Sequence, residues 1–365
     1  MKKLFAILLV IIGILLVGGC VRNDDEPVYP VRPIARLYVS IEDYQRDASK
    51  DDIDNVVLID PADTLGMYVA LNHDSDALGG AGIYFNPFVS RLFQAGYNDT
   101  TIRVIAVGNL GSLENSGSIG NRLLSQMRGI VYHHPTQMLY VASNATSSTT
   151  TTTIYGFYQP MNRNGFTKPD RTLRLGNAMR PWGMLLWGDS LLVSNSGANG
   201  GVSLYGNLSK IRDTSAVDLP ALSTIRIAGA TAIRGIAFVD SLDVLVAADY
   251  GAVGADGARV TDGKVYIIEG IKAHLKSASA TVSPTRTISG AATGLVGPVD
   301  VAIDPRGEAG RRTVFVADRD GRKVSRFSFS ASGNIAPEET VTLDTLDNAR
   351  RPFGVALDVR GVATQ

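Results

Sequence analysis

One cysteine, two tryptophans and four histidines are all that the 365 residues hold of these types. A single thiol excludes a framework of internal disulfides. Four histidines are too few for a histidine-rich metal protein. Charge of either sign is also missing as an excess, with 35 basic and 35 acidic residues. That balance lacks the basic patch by which nucleic acid is bound, so no nucleic-acid partner is expected. No P-loop, dinucleotide fingerprint or serine-nucleophile motif stands in a fitting context. Only one long apolar run occurs, Leu4 to Val17 ("LFAILLVIIGILLV"). As a helix it spans roughly 21 Å, short of the ~30 Å hydrocarbon core, which fits a signal-peptide segment better than a membrane span.

The lone cysteine closes that run. Lys2 and Lys3 precede it, Gly18 and Gly19 follow it, and Cys20 comes next. The stretch "LVGGC" resembles a bacterial lipobox, with Val17 where leucine is usual. The resemblance implies cleavage before Cys20, lipidation of its sulfur and anchorage to a membrane by two or three acyl chains. Loss of Lys2 and Lys3 takes the formal charge from zero to −2. The segment "VRNDDEPVYPVRP" is charged and proline-rich and reads as a tether. Val21 after the cysteine implies outer-membrane delivery in enteric-type sorting. "NDDE" resembles the acidic surface-export signal of Bacteroidetes lipoproteins. The expected organisation is a signal peptide over 1–19, a lipid-anchored linker over 20–34 and a folded domain over 35–365.

The folded part repeats. A short apolar strand opening near glycine is followed by a second strand ending in Asp or Asn. "RGIVYHHPTQMLYVASN", "WGMLLWGDSLLVSN" and "RGIAFVDSLDVLVAAD" are three copies. Registered on the second residue, the units open at Gly82, Gly129, Gly183, Gly235, Asp300 and Gly354, at intervals of 47, 54, 52, 65 and 54. A period of about 50 marks a propeller blade of four strands. The Gly-rich insertion Tyr250 to Gly263 explains the long interval. Third and fourth strands follow, as in "KVYIIEG" with "PTRTISG" and "KVSRFSFS" with "EETVTLD", rich in Val, Ile, Thr and Tyr. The sixth unit stops after its first strand. "ARLYVSIED", "NVVLIDPAD" and "GMYVALN" near the N-terminus supply the other three. The expected fold is an all-β, six-bladed β-propeller with four strands per blade, closed by the N-terminal strands.

"SASGNIAPEETVTL", "SASATVSPTRTISG" and the pair "AIDP…VFVAD" resemble NHL-type repeats and the wider YncE-like and SMP-30/gluconolactonase-like propellers, over roughly residues 35 to 360. The resemblance speaks for fold and hardly for function, because these propellers host scaffolds, lyases and lactonases alike. Turn chemistry explains much of it. Asn144, Asn195, Asp249 and Asp318 are expected to accept backbone N–H bonds after strand two. Asn86-Pro87 and Asp304-Pro305 are expected to start the turn between strands one and two.

Chemistry is expected where equivalent residues meet at one channel mouth. The residue before each registered position is Ala81, Arg128, Trp182, Arg234, Val299 or Phe353, and two positions earlier stand Arg180 and Arg351. Four arginines with Trp182 and Phe353 between them suit a carboxylate, a phosphate or a sugar ring. Asp300 adds a counter-charge. No catalytic residue and no cofactor is assigned. A calcium ion would come only with the lactonase resemblance, and no Glu opens a blade as that family requires. His133 and His134 are neighbours in a strand and point to opposite faces, so they cannot share a metal without a bend. His73-Asp74 is a base–orienter pair in form but sits on a surface turn. The leading functional expectation is a monomeric, non-enzymatic binding module for a protein or glycan. A metal-dependent lactonase or lyase and a cell-surface carbohydrate-binding component are the alternatives. The Ser/Thr run 143–158 is expected to contain an exposed hairpin loop. Gly108 to Gln126, rich in Gly and Ser, is expected to be an irregular connection in place of a fourth strand.

Overall fold

A computed structural model describes residues 33–45, 47, 49, 52–144, 152–176, 180–196, 200–257, 259–261, 263–307, 311–346 and 348–360. The apolar run, Cys20 and the centre of the Ser/Thr run lie outside the described residues. None of the described helices is long and apolar enough to cross a membrane.

The described strands form six sheets whose first four strands run antiparallel, and the first strand of each lines a common axis. These inner strands are Gly80–Asn86, Met127–His133, Pro181–Trp187, Ile233–Val239, Pro298–Asp304 and Pro352–Asp358, here numbered blades 1 to 6. Each packs against the next, and the sixth packs back against the first. Blade 6 takes its remaining strands from the other end of the chain: Arg36–Ile41, Val56–Ile59 and Val69–His73. Tyr38 faces Ala356 across that ladder and Val39 faces Val355. The six-bladed ring closed by N-terminal strands is therefore present.

The cores lie between blades. Six apolar clusters fill the six interfaces of the ring. Strand geometry explains the sorting, because successive side chains leave opposite faces. In Arg36–Ile41, Leu37, Val39 and Ile41 pack toward Phe315 and Ala317 of blade 5, while Tyr38 packs toward Ile83 and Phe85 of blade 1. A sheet covered on both faces buries every position, which is why the burial of "RLYVSI" shows no alternation even though Arg36 and Ser40 are polar. Each large aliphatic side chain buried there contributes roughly 1.5–3 kcal/mol before entropy is counted.

Two expectations change. Blades hold four to five strands, not four throughout. The connection between strands three and four of one blade lays a parallel strand on the outer edge of the blade before it: Gly165–Phe166 on Leu113–Gly120, Ala216–Asp218 on Arg171–Arg174, and Ser279–Val282 on Ser223–Ile227. An outer strand otherwise exposes unpaired backbone groups, and the added strand covers them. Second, Leu113–Gly120 is a regular fourth strand of blade 1 rather than an irregular connection. Its Gly and Ser residues are poor strand formers, but ladders on both sides hold them. Irregularity is confined to a register shift near Ser116, whose hydroxyl donates to the Val104 carbonyl at 3.0 Å.

The turn chemistry is as expected at strand one. Asn86 accepts from the Phe88 N–H at 3.1 Å and Asp304 from the Arg306 N–H at 3.0 Å. After strand two Asp249 and Asp318 accept in the turn, from the N–H groups of Gly251 and Gly321 at 3.2 Å, and also reach the segment entering the inner strand of their own blade. Asp249 accepts from the N–H groups of Thr231 and Ala232, and Asp318 from those of Val296 and Gly297.

Candidate functional site

At the N-terminal end of the inner strands the ladder slips. Register shifts fall between Gly80 and Ile83, Met127 and Ile130, Pro181 and Met184, Ile233 and Ile236, and Pro298 and Asp300. Such a bulge bends the strand and re-aims a side chain. Arg128, Trp182 and Arg234 each occupy it. The glycine that follows is demanded by close approach to the neighbouring blade. A Cβ on Gly129 would lie 2.5 Å from the Trp182 carbonyl oxygen, and one on Gly183 would lie 2.9 Å from the Ile236 nitrogen.

The re-aimed side chains meet. Trp182 and Phe353 stack with ring centroids 4.8 Å apart and planes 12° from parallel. The Arg128 guanidinium carbon stands 4.9 Å from the Trp182 centroid and 5.4 Å from those of Tyr97 and Phe353. That of Arg234 stands 4.1 Å from Trp182 and 3.2 Å from Tyr250. The ring faces attract these cations. Among the described residues neither arginine forms an ion pair, and the Nε of each is buried without a hydrogen-bond partner. Arg128 does donate from Nη1 to the Met127 carbonyl at 2.9 Å and from Nη2 to Gln126 Oε1 at 3.2 Å. Burial pushes both guanidinium pKa values down, that of Arg234 to about 10, and both remain charged at neutral pH.

Their neighbours are paired. Arg319 holds Glu42 through two hydrogen bonds, and Arg351 holds Asp43 at 2.6 Å and Glu42 at 3.2 Å. Asp320 accepts from Tyr250 Oη at 2.7 Å, from Arg319 at 2.8 Å and from Arg259. Burial would raise the Asp320 carboxyl, but the bonds from Tyr250 and Arg259 and the nearby positive charges outweigh it and hold it below the usual range. Five guanidinium groups thus face three carboxylates, and the two left over are Arg128 and Arg234.

The expected site residues divide accordingly. Arg128, Arg234, Trp182 and Phe353 come together. Arg351 joins the rim as half of an ion pair. Arg180 is exposed and stands outside the cluster; among the described residues its backbone is engaged, through Asn195 and Ser196. Asp300 is not a counter-charge at the mouth. It lies deeper, where its carboxylate accepts from the N–H groups of Val301 at 3.0 Å and Val355 at 2.8 Å. Burial pushes its carboxyl up to about 7. Tyr97, Tyr250, Arg319 and Glu42 were not anticipated. Each is the residue directly after the second strand of its blade, so a second register along the repeats would have found them.

Below the aromatic pair runs an apolar channel of about 230 Å³, lined by Ile83, Ile130, Met184, Ile236 and Val355 with Asp300. A divalent ion of the kind lactonase propellers hold needs several oxygen donors. The channel carboxylate is committed to two N–H groups, and the mouth carboxylates to guanidinium groups. No three His, Cys, Asp or Glu side chains gather as a ligand set among the described residues. These residues do not fit such an ion. His133 is buried against Thr136, with Nδ1 and Oγ1 2.7 Å apart, while His134 lies against the rings of Phe88 and Tyr132. His73 is 2.8 Å from Asn115 Oδ1.

No family model matches the chain, and no curated protein matches it in sequence. Solved structures match the fold. The periplasmic gluconolactonase of Pseudomonas aeruginosa superposes with a TM-score of 0.55 at 13% identity, covering 90% of this chain and 100% of that one. A candidate 6-phosphogluconolactonase from Bacteroides fragilis gives 0.57 at 11% identity, over 90% and 99%. A chain of the nidogen/laminin complex gives 0.54 at 10% identity, over 89% and 98%. At such identities the likeness is one of fold.

Proposed function

We propose that the protein is a binding module, anchored outside the cytoplasm by lipid on Cys20, whose propeller mouth takes an anionic ligand. The observation that carries this reading is the pair of desolvated guanidinium groups, Arg128 and Arg234, set on Trp182 without a carboxylate partner. A carboxylate or phosphate would supply the missing charge and hydrogen bonds, and a charge-assisted bond is stronger than a neutral one. Phe353 is buried and stacked on Trp182, so the ring pair holds the two guanidinium groups in place rather than offering a free face. Sugar acids and sugar phosphates carry the anionic group such a pair takes. The likeness in fold to a gluconolactonase points to the same ligand class but adds no base, since each carboxylate at the mouth is already held by arginine. Binding therefore ranks above hydrolysis. The lipid anchor rests on the sequence around Cys20.

Calorimetric titration with gluconate, 6-phosphogluconate and inorganic phosphate tests the reading. At least one should bind. Arg234→Met should abolish that binding, and Arg234→Lys should weaken it about tenfold, because lysine keeps the charge and loses the planar fork. Binding that survives Arg234→Met, or no binding by any of the three, overturns the assignment. Lactone hydrolysis by the purified protein would replace it with the enzymatic alternative.

A further inference from the structure

The propeller begins, at Ile34, on the face opposite the arginine mouth, and this face carries apolar side chains that stay largely exposed among the described residues. The Ile34 carbonyl accepts from Arg306 Nη1 at 2.9 Å, and Arg306 lies in the turn after the inner strand of blade 5. Inner strands run from the mouth to these turns. Two further arginines mark the same face around the chain start. Arg36 Nη2 donates to the Asn109 carbonyl at 2.9 Å, and Arg360 Nη1 donates to Ser90 Oγ at 2.8 Å. Next to those two acceptors stand Leu110, 92% exposed, and Phe88, 80% exposed. Leu65 is 83% exposed, two residues from the Asp63 carboxylate that pairs with Arg306 at 3.0 Å. Leucine and phenylalanine at the tips of separate turns gain nothing from water, and these turns of blades 6 and 1 make an apolar rim on one face. The cations among them are neutralised: Arg36 by Asp60, Arg306 by Asp304 and Asp63, and Arg360 by Asp358.

We infer that this rim docks on the lipid bilayer, with Phe88, Leu110 and Leu65 in the headgroup layer and the arginine mouth turned away from the membrane. The inference rests on the proposed acylation of Cys20. From there 13 residues lead to Pro33, a reach of at most about 45 Å fully extended, so the anchor tethers the domain by the face where the chain emerges. Apolar tips strengthen an acyl anchor by burying further area at the interface. The pairing of the arginines makes the contact one of apolar burial rather than of attraction to anionic lipid.

The test uses the full chain purified from membranes, with Cys20 acylation read by mass spectrometry. It is placed in phosphatidylethanolamine/phosphatidylglycerol vesicles bearing brominated acyl chains. Tryptophan is introduced on this face (Phe88→Trp) or at the mouth end (Leu346→Trp, where Leu346 is fully exposed). The added fluorescence at position 88 should be quenched at least about twofold more than that at 346, and to the same extent in vesicles of phosphatidylcholine alone. Equal quenching at both positions, or quenching that requires anionic lipid, overturns the inference. So does protection of position 88 that appears only with rising protein concentration, which would make the occupant a second copy. Quenching is scored whether or not Cys20 is acylated, so loss of the anchor and loss of docking are read separately. Ligand binding at the mouth is independent of both.

Discussion

Asp300 is the residue where the repeat departs from itself. Five blades place glycine at this register, and blade 5 places a carboxylate that lies against Gly235 and reaches the Val355 N–H of the next blade. Burial raises its pKa to about 7 in the folded chain, against about 3.9 when unfolded. The folded state thus holds this proton more tightly. The contribution of Asp300 to stability is complete below about pH 4, declines as pH rises through 7, and is constant above. The melting temperature should fall between pH 5 and pH 7.5, and Asp300→Asn should flatten that slope whatever its effect on absolute stability. Parallel slopes in the two proteins would show that other groups titrate there. The register that exposes Asp300 also finds Arg128, Trp182, Arg234 and Phe353, because a bulge sits at the same point of each blade. Of the two arginines two residues before the bulge, Arg351 is drawn to the rim by Asp43 and Glu42, whereas Arg180 is exposed with no such carboxylate partner among the described residues.

Among the elements, the inner strands carry the strictest demand. Their glycines let neighbouring strands meet around the axis without side chains between them. A methyl group on Gly235 would collide with the backbone and carboxylate of Asp300. Gly235→Ala should destabilise the protein by about 3 kcal/mol or more, by overpacking a site with no room to relax. Gly176→Ala, where none of the described residues lies within 4 Å of the new carbon, should leave stability unchanged or raised. Urea titration of the two variants separates the cases. The Gly/Ser-rich strand Leu113–Gly120 shows the opposite relation of sequence to element. Its residues do not favour extension, and pairing with Thr101–Val107 and Gly165–Phe166 imposes it. The parallel fifth strands are two to four residues long. Nothing within so short a segment marks it as a strand; its partner does.

The whole ring depends on blade 6, which joins the two ends of the domain. Its inner strand Pro352–Asp358 packs against blades 5 and 1, and at the seam with blade 1 Gln94 donates to Ser40 Oγ at 2.8 Å and to the Asn55 carbonyl at 2.9 Å. Removing residues 352–365 would open the ring, strip the apolar interfaces on both sides of that strand and delete Phe353 from the mouth. The shortened chain should lack a cooperative thermal transition by circular dichroism, whereas the intact domain should unfold in one. A shortened chain that melts cooperatively near the temperature of the intact one would show that the blades are stable without closure.

Periodicity near 50 residues, alternating strand patterns and the truncated sixth unit were enough to determine six blades and their closure, since each follows from local backbone preference and from counting. The mouth was half determined in the same way. Which arginines stay unpaired was decided only by the tertiary structure. Glu42 and Asp43 lie more than 270 residues from Arg319 and Arg351 in the chain, and the closing of the ring brings them together. Likewise, apolar tips scattered from Leu65 to Leu110 become one rim only when the turns of neighbouring blades share a face.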